Sequence, residues 1–120
     1  LMVDNRSPNK ISILLKKFSS FNLERFKHND EPIDLLINAT SAALSGPFDW
    51  DIQNQFNKET IFYDLSYGKA SKKFFSWSSQ FSKNRFDGTG MLIAQAAFSF
   101  QLWFDTFPDI SNIDLSNVHD

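Results

Sequence analysis

Apolar residues recur along this chain in two rhythms. Leu1-Met2-Val3 is a short continuous run that reads as the last turn of a buried strand. Asp4-Asn5-Arg6-Ser7 closes it, and Ser7-Pro8 predicts a helix start, with Ser7 as N-cap and Pro8 at the first helical position. Ile11, Leu14, Leu15 and Phe18 then fall at i, i+3, i+4 and i+7, one apolar helical face, and Lys16 and Lys17 suit its C-terminal end. Residues 22–26 read as a short strand, and Lys27 to Pro32 as a polar loop. Ile33 to Ile37 is apolar except at Asp34, the form of a parallel strand covered on both faces, and it stops at Asn38-Ala39-Thr40-Ser41. Residues 42–58 follow neither rhythm, and Gly46-Pro47 is a breaker among them. Ile61-Phe62-Tyr63-Asp64-Leu65 is the next strand, ended by Ser66-Tyr67-Gly68. Phe74, Trp77 and Phe81 space a second helix. Asp87-Gly88-Thr89-Gly90 is a turn that opens a third, from about Met91 to Phe104, with Met91, Ala94, Phe98 and Leu102 as its stripe.

Strands alternating with helices predict an α/β fold with a parallel sheet and flanking helices. The expected division is one domain over residues 1–107 and a polar tail over 108–120. Three of the apolar runs end in polar clusters: Asp4 to Ser7, Asn38 to Ser41, and Tyr63-Asp64 through Tyr67. Ligands of open parallel sheets bind at the carboxyl ends of the strands, where these clusters would lie. Turn chemistry is the plain alternative, since Asn, Ser and Asp favour strand ends in any case.

Composition narrows the classes. The 120 residues are one domain's worth of chain, and 42% hydrophobic with 22% charged residues is a globular balance. A net charge of −2 speaks against a nucleic-acid partner. The absence of Cys removes disulfides, a thiol nucleophile and Cys-ligated metal, and it suits a reducing, cytoplasmic setting. His28 and His119 have no ligand-like spacing, so no metal site is expected. No apolar run approaches the roughly 20 residues of a membrane helix, and the opening residues are not those of a signal peptide. The 14 Phe read as core filling, with base stacking as the alternative that the charge disfavours.

Three segments carry more than rhythm. Asp34-Leu-Leu-Ile-Asn-Ala-Thr-Ser41, then Tyr63-Asp-Leu-Ser-Tyr67, then Asp87-Gly-Thr-Gly-Met-Leu-Ile-Ala-Gln-Ala-Ala97 resemble, in order and spacing, segments of shikimate dehydrogenases. Asn5-Arg6-Ser7 resembles that family's NADP-reading loop. The resemblance implies a Rossmann-like NADP-binding domain in an enzyme that interconverts 3-dehydroshikimate and shikimate, in aromatic amino-acid biosynthesis. It implies that Asn5, Arg6 and Ser7 surround the adenosine 2′-phosphate, for which an always-charged guanidinium is suited. Asn38, Ala39, Thr40 and Ser41 would line the cofactor, with a strand cap as the bland reading. Leu65 and Gly88 would lie near the nicotinamide, Gly88 allowing close backbone approach or serving only a turn. Tyr67 and Gln95 would reach the substrate, and Gln95 is expected as a buried amide that a ligand hydroxyl would satisfy.

Some positions depart from the family pattern. Ala43 stands where Gly is usual and Thr89 where Leu is usual. Asp4 precedes the phosphate-reading loop, where an acidic residue often bonds the ribose of NAD, but Asn5 occupies the reading position. The family's Gly-rich pyrophosphate loop, its preceding central strand and its catalytic Lys and Asp have no counterpart in these residues. The expectation is therefore an incomplete sheet, no catalytic residue, no activity of the chain alone and self-association through the open edge.

Overall fold

The computed structural model describes residues 1–28, 31–41 and 55–115. The chain forms two compact units, Leu1–Asp30 and Glu31–Asp120. The first holds strand β1 (Met2–Val3), helix α1 (Pro8–Lys17) and strand β2 (Glu24–Arg25). β1 and β2 are parallel, with Met2 opposite Glu24 and Val3 opposite Arg25. Helix α1 begins at Pro8 because a proline at the first position loses no intrahelical bond. Ser7 is extended as an N-cap must be, but its hydroxyl does not cap the helix; instead its N–H donates to Asn5 Oδ1 at 2.8 Å. Ile11 is buried, whereas Leu14 and Phe18 on the same face are just exposed. The opening run is not a buried strand: Leu1 and Met2 are exposed. A two-residue strand with one neighbour and one short helix has too little around it to cover both its faces.

The second unit is a three-stranded parallel sheet in the order β3-β4-β5, with β3 at Leu35–Asn38, β4 at Ile61–Asp64 and β5 at Arg85–Phe86. Asn38 lies opposite Asp64, and Tyr63 opposite Phe86. A 3-10 turn (Gly68–Ala70) and helix α2 (Lys72–Ser78) connect β4 to β5. Helix α3 (Thr89–Phe104) follows β5. The short β5 has no counterpart in the hydrophobic rhythm, because two residues set no period; Phe62 N–H donates to Asn84 O at 2.8 Å as the chain enters it.

The core sits on one face of this sheet. Phe62, Phe74 and Trp77 are its buried centre, with Leu36, Phe56, Phe75 and Phe81 packed against it. The rings meet mainly edge to face, Phe62 and Trp77 at 5.8 Å and Phe56 and Trp77 at 5.6 Å between centroids, an arrangement their quadrupoles favour. Phe56, Phe62, Phe74, Phe75 and Phe81 fill this core, as expected, but Phe18, Phe21, Phe86, Phe98, Phe100, Phe104 and Phe107 are exposed, so core filling accounts for only part of the abundant Phe. The opposite face differs from the expectation for Ile33 to Ile37. Leu35, Ile37 and Phe86 are 50, 48 and 54% exposed, and Ile61 is exposed beside them. The strand is covered on one face only, because α2 lies over the Phe62 side. The stripe expected on α3 also fails, since Phe98 and Leu102 are exposed while Thr89 and Ala97 are buried. That helix is apolar nearly all round, so periodicity cannot select its inner side. It ends at Asp105, whose φ of 52° is left-handed and whose N–H closes the last turn onto Gln101 O.

The architecture is α/β and Rossmann-like, with parallel sheets and flanking helices. Among the described residues β1 and β3 each pair on one side only. No helix among them is long and apolar enough to cross a membrane.

Candidate functional site

Parallel strands bring their carboxyl ends to one edge, so the residues that end β3, β4 and β5 come together. Side chains alternate along a strand, which puts Asp64 on the same face as Phe62. Asn38 and Asp64 are accordingly both fully buried. Asn38 Nδ2 donates to Asp64 Oδ1 at 3.1 Å. Asn38 Oδ1 accepts from Thr40 N–H at 3.1 Å and from the Thr40 hydroxyl at 2.8 Å. Ser66 N–H donates to Asp64 Oδ1 at 3.0 Å, and Leu65 N–H to Asn38 O at 3.0 Å. The turns after β3 and β4 are thus tied through one Asn–Asp pair. Asp64 Oδ2 is buried with no hydrogen-bond partner among the described residues. Burial pushes the Asp64 carboxyl above the usual carboxylate range, and repulsion from Asp87 adds to this; hydrogen bonds from Ser66 and Asn38 only partly oppose it.

The third strand end is fastened to the second. Gly88 N–H donates to Ser66 O at 2.8 Å, and Thr89 N–H to Asp87 Oδ1 at 3.0 Å. A Cβ on Gly88 would stand 2.2 Å from Leu65 O. Its φ of −73° is ordinary, so space rather than torsion demands glycine there.

The structure brings Asn38, Thr40, Leu65 and Gly88 into one bonded cluster. Ala39 and Ser41 are exposed on the turn after β3, and Tyr67 is exposed on the turn after β4, before Gly68 with its left-handed φ of 59°. Gln95 lies on the second turn of α3 and is exposed, so it is not the buried amide expected. In the first unit, Asn5 and Arg6 are exposed and Ser7 half-buried between β1 and α1; Asn5 Oδ1 is occupied by Ser7 N–H. Ala43 lies outside the described residues.

A shallow hollow of about 400 Å³, lined by Tyr63, Phe75, Arg85, Phe86, Asp87 and Gly90, holds none of the expected residues. Its guanidinium is engaged: Arg85 Nη1 donates to Phe75 O at 3.0 Å and the group lies over the Phe75 ring. Sequence reasoning singled out no role for Asp64. Its parity with Phe62 was the available signal, since it marks a carboxyl facing the core.

Comparison with known proteins places these residues. The family model "Shikimate 5'-dehydrogenase C-terminal domain" matches residues 88–113. A shikimate dehydrogenase (NADP(+)) of Colwellia psychrerythraea is 32% identical over 94% of this chain and 42% of its own length. Those of Ruthia magnifica and Vibrio atlanticus are 37% and 36% identical, over 98% and 94% of this chain and 45% and 42% of their own lengths. The chain spans less than half the length of these curated relatives. Along nearly its whole length the chain is similar to shikimate dehydrogenases, and residues 88–113 match their C-terminal domain.

Proposed function

We propose that this chain supplies most of the NADP-binding domain of a shikimate dehydrogenase, an enzyme interconverting 3-dehydroshikimate and shikimate in aromatic amino-acid biosynthesis. The observation that carries the reading is the bonded cluster of Asn38, Thr40, Asp64, Leu65 and Gly88 at the carboxyl ends of parallel strands. The residues present fit a pyridine nucleotide. Thr89 Oγ1, buried just after β5, has no partner among the described residues, and the exposed Leu65 beside Gly88 offers an apolar wall.

In this reading Asn38 to Ser41 line the cofactor, Leu65 and Gly88 lie by its nicotinamide, and Tyr67 and Gln95 orient the substrate. Within its own unit, the exposed Arg6, with Asn5 and Ser7, holds the 2′-phosphate, which a guanidinium can bond through two oxygens. NADPH supplies the hydride when bound. The relatives' name, shikimate dehydrogenase (NADP(+)), supports that cofactor. A chain without Cys accords with a cytoplasmic setting.

None of the residues assigned here transfers a proton, which reduction of a ketone requires. The 120-residue chain alone is therefore inactive, while the full-length protein that contains it reduces NADP in the presence of shikimate. A spectrophotometric assay on both tests this. Turnover by the isolated chain, free of contaminating enzyme, refutes its inactivity, and no turnover by the full-length protein refutes the enzyme reading.

A second reading has its own observation. β1 and β3 each lack a neighbour on one side among the described residues, and the Leu35, Ile37, Ile61 and Phe86 face is bare. Unpaired strand edges invite pairing with another chain. The isolated chain is then a non-catalytic, self-associating protein. Light scattering that gives a clean 13.8 kDa species at micromolar concentration ends that reading.

A further inference from the structure

We infer that Asp64 is a positioning residue: its carboxyl, accepting from Asn38 Nδ2 and Ser66 N–H, fixes Asn38, and through Asn38 the Thr40 turn that receives the pyridine nucleotide. The inference rests on the cofactor reading above and adds to it a residue that does not itself touch the ligand.

Donor and acceptor logic leaves one arrangement. Thr40 N–H can only donate, so the Asn38 atom facing it at 3.1 Å is the oxygen Oδ1. Asn38 Nδ2 then faces Asp64 Oδ1, which must accept, and Ser66 N–H donates to that same oxygen. With Oδ1 accepting twice, an Asp64 proton sits on Oδ2. Asp64 Oδ2 is buried without a partner among the described residues, and burial raises the carboxyl's hold on its proton. Asp87, which follows β5, is the charged neighbour that bears on the group, and its sign also favours the proton. The carboxyl keeps the Asn38 amide turned with Oδ1 toward Thr40. Without it Nδ2 loses its acceptor, and the amide is free to rotate away from the turn.

The test compares Asp64→Asn and Asp64→Ala in the full-length protein. It reads NADPH affinity by fluorescence titration, the KM for shikimate, and hydrogen exchange at the Thr40 and Ser66 amides. An amide oxygen can replace Oδ1, so Asp64→Asn keeps NADPH affinity within about threefold and keeps the Thr40 amide protected. Asp64→Ala weakens NADPH by about tenfold, the scale of a lost buried hydrogen bond, and leaves the shikimate KM near wild type. Unchanged NADPH affinity in Asp64→Ala, or a loss in folded Asp64→Asn equal to that in Asp64→Ala, overturns the inference. If Asp64→Ala does not fold, Asp64→Leu decides, since it keeps the branched shape of Asp while removing the acceptor for Asn38 Nδ2. A loss of about tenfold supports the inference and unchanged affinity overturns it. A wild-type protein that does not bind NADPH ends the cofactor reading instead, and amide exchange then tests Asp64 by itself. Thr40 protection lost in Asp64→Ala but kept in Asp64→Asn supports the positioning role; protection that survives Asp64→Ala overturns it.

Discussion

On one face of the β3-β4-β5 sheet Phe62 meets Phe74 and Trp77 and loses all contact with water; on the other, Leu35, Ile37, Ile61 and Phe86 lie open. The residue types are similar and the strands are the same. What differs is the layer above, since α2 lays Phe74 and Trp77 over the first face. Apolar surface contributes to stability only in proportion to the area removed from water. The covered face therefore carries the fold of this unit, and the bare face is available to whatever would cover it. Parallel sheets are almost always covered on both faces, which makes the bare one the anomaly.

The contrast can be broken most directly in the core. Phe62→Ala should cost about 3–5 kcal/mol, because a large ring is lost from a site enclosed by other rings. Urea unfolding of the chain measures this, and a cost below about 1 kcal/mol would mean that the covered face is not tightly packed. Arg6→Ala separates binding from stability. Arg6 is exposed, so the melting temperature should hardly move, while NADPH in the full-length protein should bind about 10- to 100-fold more weakly, the worth of a charge-assisted contact. NADH lacks the 2′-phosphate and should bind as before; equal losses for both cofactors would show a structural role for Arg6.

A pH series on Asp64→Asn gives a smaller effect with a definite sign. The folded carboxyl holds its proton more tightly than the unfolded one. Below the unfolded value both states are protonated and nothing is lost. As pH rises past it the unfolded chain ionises first, and stability falls until the folded value is passed. The variant cannot ionise there, so its stability relative to wild type should improve from acid toward neutral pH. A constant difference across that range would place the Asp64 titration at its ordinary value. The smallest effect belongs to the bare face. Leu35→Asn should change the stability of the monomer by no more than about 0.5 kcal/mol, while reducing association seen by light scattering. A large loss of stability would show that the face is covered within the chain.

The elements with a strong local rhythm were legible. Ser7-Pro8 set the start of α1, and the short run Ile61 to Leu65, ended by Ser66-Tyr67-Gly68, marked β4. Phe74 and Trp77 at helical spacing marked α2 and its inner side. What sequence did not show is what depends on a partner elsewhere. The run at Leu35 to Ile37 looks the same whether one face or two are covered. On α3, apolar residues all round leave no inner stripe to read, and Phe98 and Leu102 proved exposed. The strand ends Asn38 to Ser41 and Asp64 to Tyr67 were legible as polar clusters at the carboxyl edge. Their link through Asn38 and Asp64 was not, because it joins side chains 26 residues apart. The reason for Gly88 was likewise hidden. Its need is the Leu65 carbonyl against its Cα, a contact set by the path of a different turn.

The parallel register also bears on how quickly this unit can assemble. No two strands of the β3-β4-β5 sheet are hairpin neighbours, and the β3–β4 pair already joins Asn38 and Asp64 across a sequence separation of 26. Loop-closure entropy is lost before such a pairing returns any energy, so nonlocal sheets fold slowly compared with helical proteins of the same size. Helix α2 and the turn before it can form early from local contacts. The ladder, and with it the Asn38–Asp64 bond, must wait for the ends of distant segments to meet. Until then Phe62 can meet only nearby rings such as Phe74 and Trp77 of α2, and the unit passes through a stage in which both edges of β4 are unpaired. Temperature and chain concentration during refolding should therefore govern the yield of folded chain more strongly than its final stability does.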